Sequence, residues 1–107
     1  MDYLIAITTV SSHQEAQAIA KQIMGLRLAA CIQISEIESF YHWEGQLQQE
    51  PEFRLLFKTT AAQYAALEQA IKAHHPYELP AIYAIALDQV EAAYGHWIDA
   101  SVPLEHP

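Results

Sequence analysis

The densest chemistry in the chain lies in His74-His75-Pro76-Tyr77-Glu78. Neutral imidazole is the commonest ligand for borderline metals and suits copper, zinc and nickel. Neighbouring histidines normally point apart, so both reach one ion only where the backbone bends, and Pro76 supplies a bend. A plainer reading stands beside this one. A cationic imidazole in the last turn of a helix gains about 0.3–1 kcal/mol from the macrodipole with no metal present. No C-x-x-C or H-x-E-x-H pattern occurs, which argues against a closed structural zinc site.

Other reactive side chains carry weaker signals. Cys31 lies in an extended apolar stretch, where a lone cysteine behaves as a small hydrophobe, and nothing local would make it a thiolate. Glu36, Glu38, Glu44, Glu50 and Glu52 make one region rich in carboxylates. Most are expected to be solvated edge charges, with some able to converge across a cleft between subunits. Trp43-Glu44-Gly45 reads as turn chemistry. A Gly-rich phosphate loop, a G-x-S-x-G elbow and a nucleophile–base pair are all missing from the sequence, so the expectation is a binding protein and not an enzyme.

These residues need elements to hold them. Tyr3 to Val10 is apolar and rich in strand formers. Ser12-His13-Gln14-Glu15 has capping-box spacing, and Ala16, Ile19, Ala20 and Ile23 then trace one helical face up to a stop at Gly25. Ala29 to Trp43 and Gln46 to Thr59 alternate with period two around Glu44-Gly45, predicting a long hairpin with Pro51 at an edge or bulge. Thr60-Ala61-Ala62-Gln63 is a second capping-box candidate. Tyr64, Leu67 and Ile71 mark the helix it would start, which Pro76 ends. Ala81 to Leu87 reads as a strand, and Asp88 to Ala100 as a last helix with Val90, Tyr94, Trp97 and Ile98 on one face. The order β-α-β-β-α-β plus a terminal helix predicts a ferredoxin-like α+β sandwich, one domain spanning residues 1–107.

With two helices on one side of the sheet, the other side would stay apolar and open, because Tyr3 to Thr8 and Ile82 to Leu87 are apolar at both alternations. Long hairpin edges also need covering. Both features predict an oligomer, with Phe40, Tyr41 and Trp43 at a subunit boundary or in a local aromatic ladder. Composition sets the remaining bounds. Among 107 residues, 5 Lys and Arg stand against 13 Asp and Glu, a net charge of −8, which opposes binding to nucleic acid. No apolar run approaches the roughly 18–20 residues needed to span a bilayer. A single cysteine and the lack of a basic leader at Met1-Asp2-Tyr3 predict a cytoplasmic protein.

Several segments together resemble the CutA family of divalent-cation tolerance proteins. They are Leu28-Ala29-Ala30-Cys31, Phe40-Tyr41-His42-Trp43-Glu44-Gly45, Leu55-Leu56-Phe57-Lys58-Thr59-Thr60, His75-Pro76-Tyr77-Glu78-Leu79-Pro80, and Tyr94 with Trp97-Ile98. The resemblance implies a ferredoxin-like fold and a homotrimer whose hairpins pair between subunits, similar in architecture to PII signalling proteins. It implies binding of Cu(II) or another divalent cation, with no obligatory cofactor and with His74 and His75 as ligands. Thr8 stands where some members carry a ligating cysteine, and Ala81 where relatives commonly carry glutamate. An alternative role is a PII-like signalling or adaptor trimer that takes a small anion or a protein partner between subunits, with Lys58 as the charge and Tyr77 and Trp97 as walls. Glu44 and Glu78 complete the candidates for such a cleft or interface.

Overall fold

The computed structural model describes residues 2–104. Strand β1 (Tyr3–Val10) leads into helix α1 (His13–Gly25), followed by strands β2 (Cys31–Trp43) and β3 (Gln46–Thr60). A 3-10 turn (Ala61–Gln63) enters helix α2 (Tyr64–His74), and strand β4 (Ile82–Ala86) and helix α3 (Ala92–Ser101) complete the chain. All pairings are antiparallel, and the strand order β2-β3-β1-β4 is that of a ferredoxin-like sandwich.

Alternation along the strands sorts the side chains into two layers. Leu4, Ala6 and Val10 of β1 and Phe53, Leu55 and Phe57 of β3 pack with Ala16, Ile19 and Ile23 of α1 and Leu67 and Ile71 of α2. Phe57, Leu55, Leu67 and Ile71 are fully buried there, each stabilising the fold by about 1.5–3 kcal/mol. The opposite face is not left wholly open, contrary to the sequence expectation. Helix α3 crosses its Tyr3 end, where Ile98 and Val102 pack with Ala30 and Tyr3. The Tyr3 hydroxyl donates to Asp99 Oδ2 at 2.6 Å, and the Tyr3 ring lies so close to Gly95 that an added Cβ would meet it at 3.0 Å. Beyond α3 the face stays uncovered, with Tyr83 51% and Ile85 54% exposed.

The hairpin turn at Glu44-Gly45 has φ of 52° and 77°, the two positive values of a type I′ turn that matches the strand twist. From it the β2–β3 register runs without a bulge from Trp43↔Gln46 to Cys31↔Lys58. Pairing of β1 with β3 ends at Val10↔Phe53. Residues 46–52 therefore extend past the sheet with β2 as their only partner among the described residues, a ribbon of roughly 20–25 Å at ~3.3 Å per residue. Pro51 lies in that stretch, where β3 has no neighbour on its second side; it marks an edge and not a bulge.

Four local expectations need correction. Helix α1 continues through Gly25, and the left-handed residue that stops it is Arg27, with φ of 56°. Amides of Arg27 and Leu28 donate to the Met24 and Ile23 carbonyls in a Schellman arrangement, so the hydrogen-bond pattern and not the glycine sets the end. Strand β2 begins at Cys31 and not Ala29, and Cys31 is half-buried. Thr60 forms no capping box: its Oγ1 is buried without a partner, while the Gln63 amide donates to the Pro103 carbonyl. The last helix starts at Ala92, not Asp88, because the Glu91 carboxylate accepts from the Ala93 and Tyr94 amides and caps it there. The first box does cap, with Ser12 Oγ accepting from the Glu15 amide, although Glu15 Oε1 accepts in return from the Ser12 hydroxyl and not from its amide.

Candidate functional site

Pro76 shapes the site. It holds His75 in extended backbone, with φ of −81° and ψ of 134°, which ends α2 and swings the imidazole back towards β1. His75 Nδ1 accepts from the Tyr77 amide at 3.1 Å, so the proton sits on Nε2, which donates to the Thr9 carbonyl at 2.9 Å. Burial is the main cause that holds this imidazole below its ordinary pKa, outweighing the Thr9 carbonyl, Glu15 and Glu52. His75 is thus a neutral ring with both nitrogens engaged by backbone.

Tyr77 packs edge-on against His75, ring centres 4.8 Å apart, and its hydroxyl donates to Glu52 Oε2 at 2.8 Å. Burial first, and then the Glu52 carboxylate, raise the phenol well above its ordinary value. On the neighbouring strand, the Tyr41 hydroxyl donates to Glu50 Oε1 at 2.9 Å, and that bond is the main cause raising its own pKa. Both tyrosines are neutral donors at physiological pH.

Together these elements enclose a cleft of about 420 Å³. Its hairpin side carries Tyr41, Trp43 and Glu52, which the unbroken register places on one face. Tyr77, Glu78 and Leu79 line the other side, with Thr9 and Ala81 between. Two carboxylates and no Lys or Arg line it. Thr8, one residue from Thr9 and so on the helix-packed face, is fully buried, and its hydroxyl donates to the Ala81 carbonyl at 2.8 Å. Thr8 thus pins the segment after Pro80 to β1, and Ala81 presents no charge to the cleft.

Of the residues singled out from the sequence, the structure gathers Tyr41, Trp43, Tyr77 and Glu78 in this cleft. His75 lies behind Tyr77, and His74 is exposed at the end of α2. Among the described residues, no three His, Cys, Asp or Glu side chains gather closely enough within one chain to hold an ion. Phe40 is on the opposite alternation from Tyr41 and is exposed, and Glu44 belongs to the turn. The proposed grouping of Lys58, Tyr77 and Trp97 does not form within one chain. The Lys58 ammonium stands 5.6 Å over the Tyr94 ring, which stacks on Trp97 at 5.5 Å. Trp97 lines a separate recess of about 480 Å³ with Met24, Arg27 and Ser101, at the α3 end of the molecule. Sequence reasoning named Glu52 only as one of five hairpin carboxylates that could converge on a cleft, although a two-residue turn counted outward from Glu44-Gly45 already puts it on the face of Tyr41 and Trp43.

A sheet of this order, with two helices on one face and a long hairpin ribbon, defines a ferredoxin-like α+β protein, and comparison with known proteins narrows the class. The family model described as CutA1 divalent ion tolerance protein matches residues 4–101. A divalent-cation tolerance protein CutA from Archaeoglobus fulgidus is 37% identical over 94 residues, covering 88% of this chain and 92% of the relative. The structure of CutA from Synechococcus elongatus superimposes with a TM-score of 0.93 at 37% identity, covering 95% of this chain and 91% of that one. A structure from Archaeoglobus fulgidus, described as a periplasmic divalent cation tolerance protein CutA, gives a TM-score of 0.91 at 35% identity, covering 94% and 99%. The chain belongs to the CutA family of divalent-cation tolerance proteins.

Proposed function

We propose that this chain serves divalent-cation tolerance by binding the ion itself, copper(II) or a similar cation, as a cytoplasmic homotrimer and without catalysis. The observation that carries this reading is the cleft beside the His75 segment, which presents Glu52 and Glu78 with no basic residue among its lining. Two carboxylates in the lining favour a cation, with Arg54, opposite Thr9 on the alternation of Glu52, the nearest basic residue in the register. In this reading His74 and His75 supply imidazole and Glu78 a carboxylate, and a second subunit completes the set. His75 Nδ1 carries no proton, so an ion reaches it by displacing the Tyr77 amide.

Calorimetric titration of Cu(II) and Zn(II) into metal-free protein tests the reading, beside the double variant His74→Ala/His75→Ala. Saturable copper binding at a fixed ratio per trimer, lost in the variant while the assembly keeps its mass, is the expected result. Binding indifferent to both histidines would reject these ligands. Fractionation of cells tests the compartment, since one relative is described as periplasmic.

One observation favours the adaptor reading at a different place. The recess beside α3 contains Arg27 and Trp97 and no carboxylate, which suits a small anion. Thermal protection by anionic metabolites in the presence of chelator, abolished by Arg27→Ala, would establish it.

A further inference from the structure

We propose that the cleft between the hairpin and the Tyr77 segment is a site for an organic ammonium ion. It rests on the same negative cleft as the tolerance reading but not on metal ligation. A divalent metal needs several close donors, and within one chain the described residues offer no group of three. What the cleft offers instead is aromatic wall: Tyr41, Trp43 and Tyr77 line it together with Glu52 and Glu78. Aromatic faces attract alkylammonium groups through the ring quadrupole, and tryptophan does so best. Metal ions of the tolerance class gain little from such walls.

The hydrogen bonds fit this use. Tyr77 donates to Glu52 and Tyr41 to Glu50, so each phenol is anchored at its oxygen and its orientation is set before a ligand arrives. Trp43 lines the cleft and is 54% exposed within one chain. A volume of about 420 Å³ falls within the range of small-molecule clefts, roughly 300–1,000 Å³. No Lys or Arg is among the lining residues; Arg54, opposite Thr9 on the alternation of Glu52, stands beside the cleft.

The test is calorimetric titration of choline into the full-length assembly in EDTA, with 3,3-dimethylbutan-1-ol, its uncharged isostere, titrated in parallel. The expected result is saturable choline binding, one per chain, with the isostere weaker by about tenfold or more. Trp43→Leu removes the aromatic face, and Glu52→Gln removes the charge while keeping an acceptor for Tyr77. Each should weaken choline by about tenfold; Glu52→Gln, which keeps the Tyr77 bond, should do so with the assembly mass unchanged, and Trp43→Leu, which also alters the predicted subunit boundary, is compared per mole of assembled protein. Absence of choline binding, equal binding of the neutral isostere, or indifference to both substitutions overturns the inference. Copper titration of the same preparations separates the two readings, since copper binding that survives without choline binding sinks only this one.

Discussion

Protonating His75 breaks an interaction that can be named. Its Nδ1 accepts from the Tyr77 amide, and a proton there turns acceptor into donor against donor. Burial lowers the folded-state pKa below the unfolded value of about 6.5, so the unfolded chain binds more protons as pH falls. Stability is therefore complete above about pH 6.5 and declines as the pH drops from there towards the folded pKa. Melting curves between pH 7.5 and 5.5 should show Tm falling with acid, and His75→Gln, which keeps a donor for Thr9, should flatten that slope; an unchanged slope would mean that another group is responsible. A second residue-level expectation concerns Ala81, which lines the cleft between Glu78 and the β1 strand. Ala81→Glu adds a third carboxylate and should strengthen Zn(II) binding by about tenfold, whereas Ala81→Gln should not. Part of this neighbourhood was legible in the sequence, because Pro76 announces the bend that frees Tyr77 and Glu78 from the helix. What could not be read was that His75 faces Thr9, since that contact joins residues 66 positions apart.

At the scale of elements, backbone conformation decides where helices and strands stop. Gly25 is a helical residue with open space around a would-be Cβ, while Gly45 needs its φ of 77°. Gly25→Ala should stabilise the protein by about 0.5–1 kcal/mol, and Gly45→Ala should destabilise it by about 1–2 kcal/mol, both measured by denaturant unfolding. Equal effects of the two substitutions would show that the Arg27 stop and the type I′ turn are wrongly assigned. Strands and helix interiors were readable because alternation and the 3.6-residue period come from the side chains themselves. Caps were harder: Ser12 and Thr60 begin similar-looking motifs, yet only Ser12 makes the bond, because a 3-10 turn follows Thr60 and commits Gln63 to the Pro103 carbonyl. The place of α3 was hidden for a related reason. Its helical face is written in the sequence, but which layer it joins depends on Tyr3 reaching Asp99 across almost the whole chain.

For the whole molecule, the uncovered part of the sheet and the ribbon of residues 46–52 set the expectation. Tyr83, Ile85, Phe40 and Trp43 are all at least half exposed, too much apolar surface to leave in water on so small a protein. Sedimentation should return three times the chain mass of 12.1 kDa, and Tm should rise with protein concentration because subunits bind only the folded form. A sedimenting mass of one chain at micromolar concentration would remove the trimer from the account.

The position of β1 has a consequence for how cells make this protein. Of the four described strands, the first to leave the ribosome is the one that ends up between β3 and β4. Tyr3 to Val10 must wait for Phe53 and the residues beyond before it gains any partner strand, roughly 2–10 s at ordinary rates of synthesis. Its second edge waits longer still, until Ile82 to Ala86 have emerged. During that interval the nascent chain displays an apolar segment with both rows of backbone groups unpaired, an edge open to association with other chains.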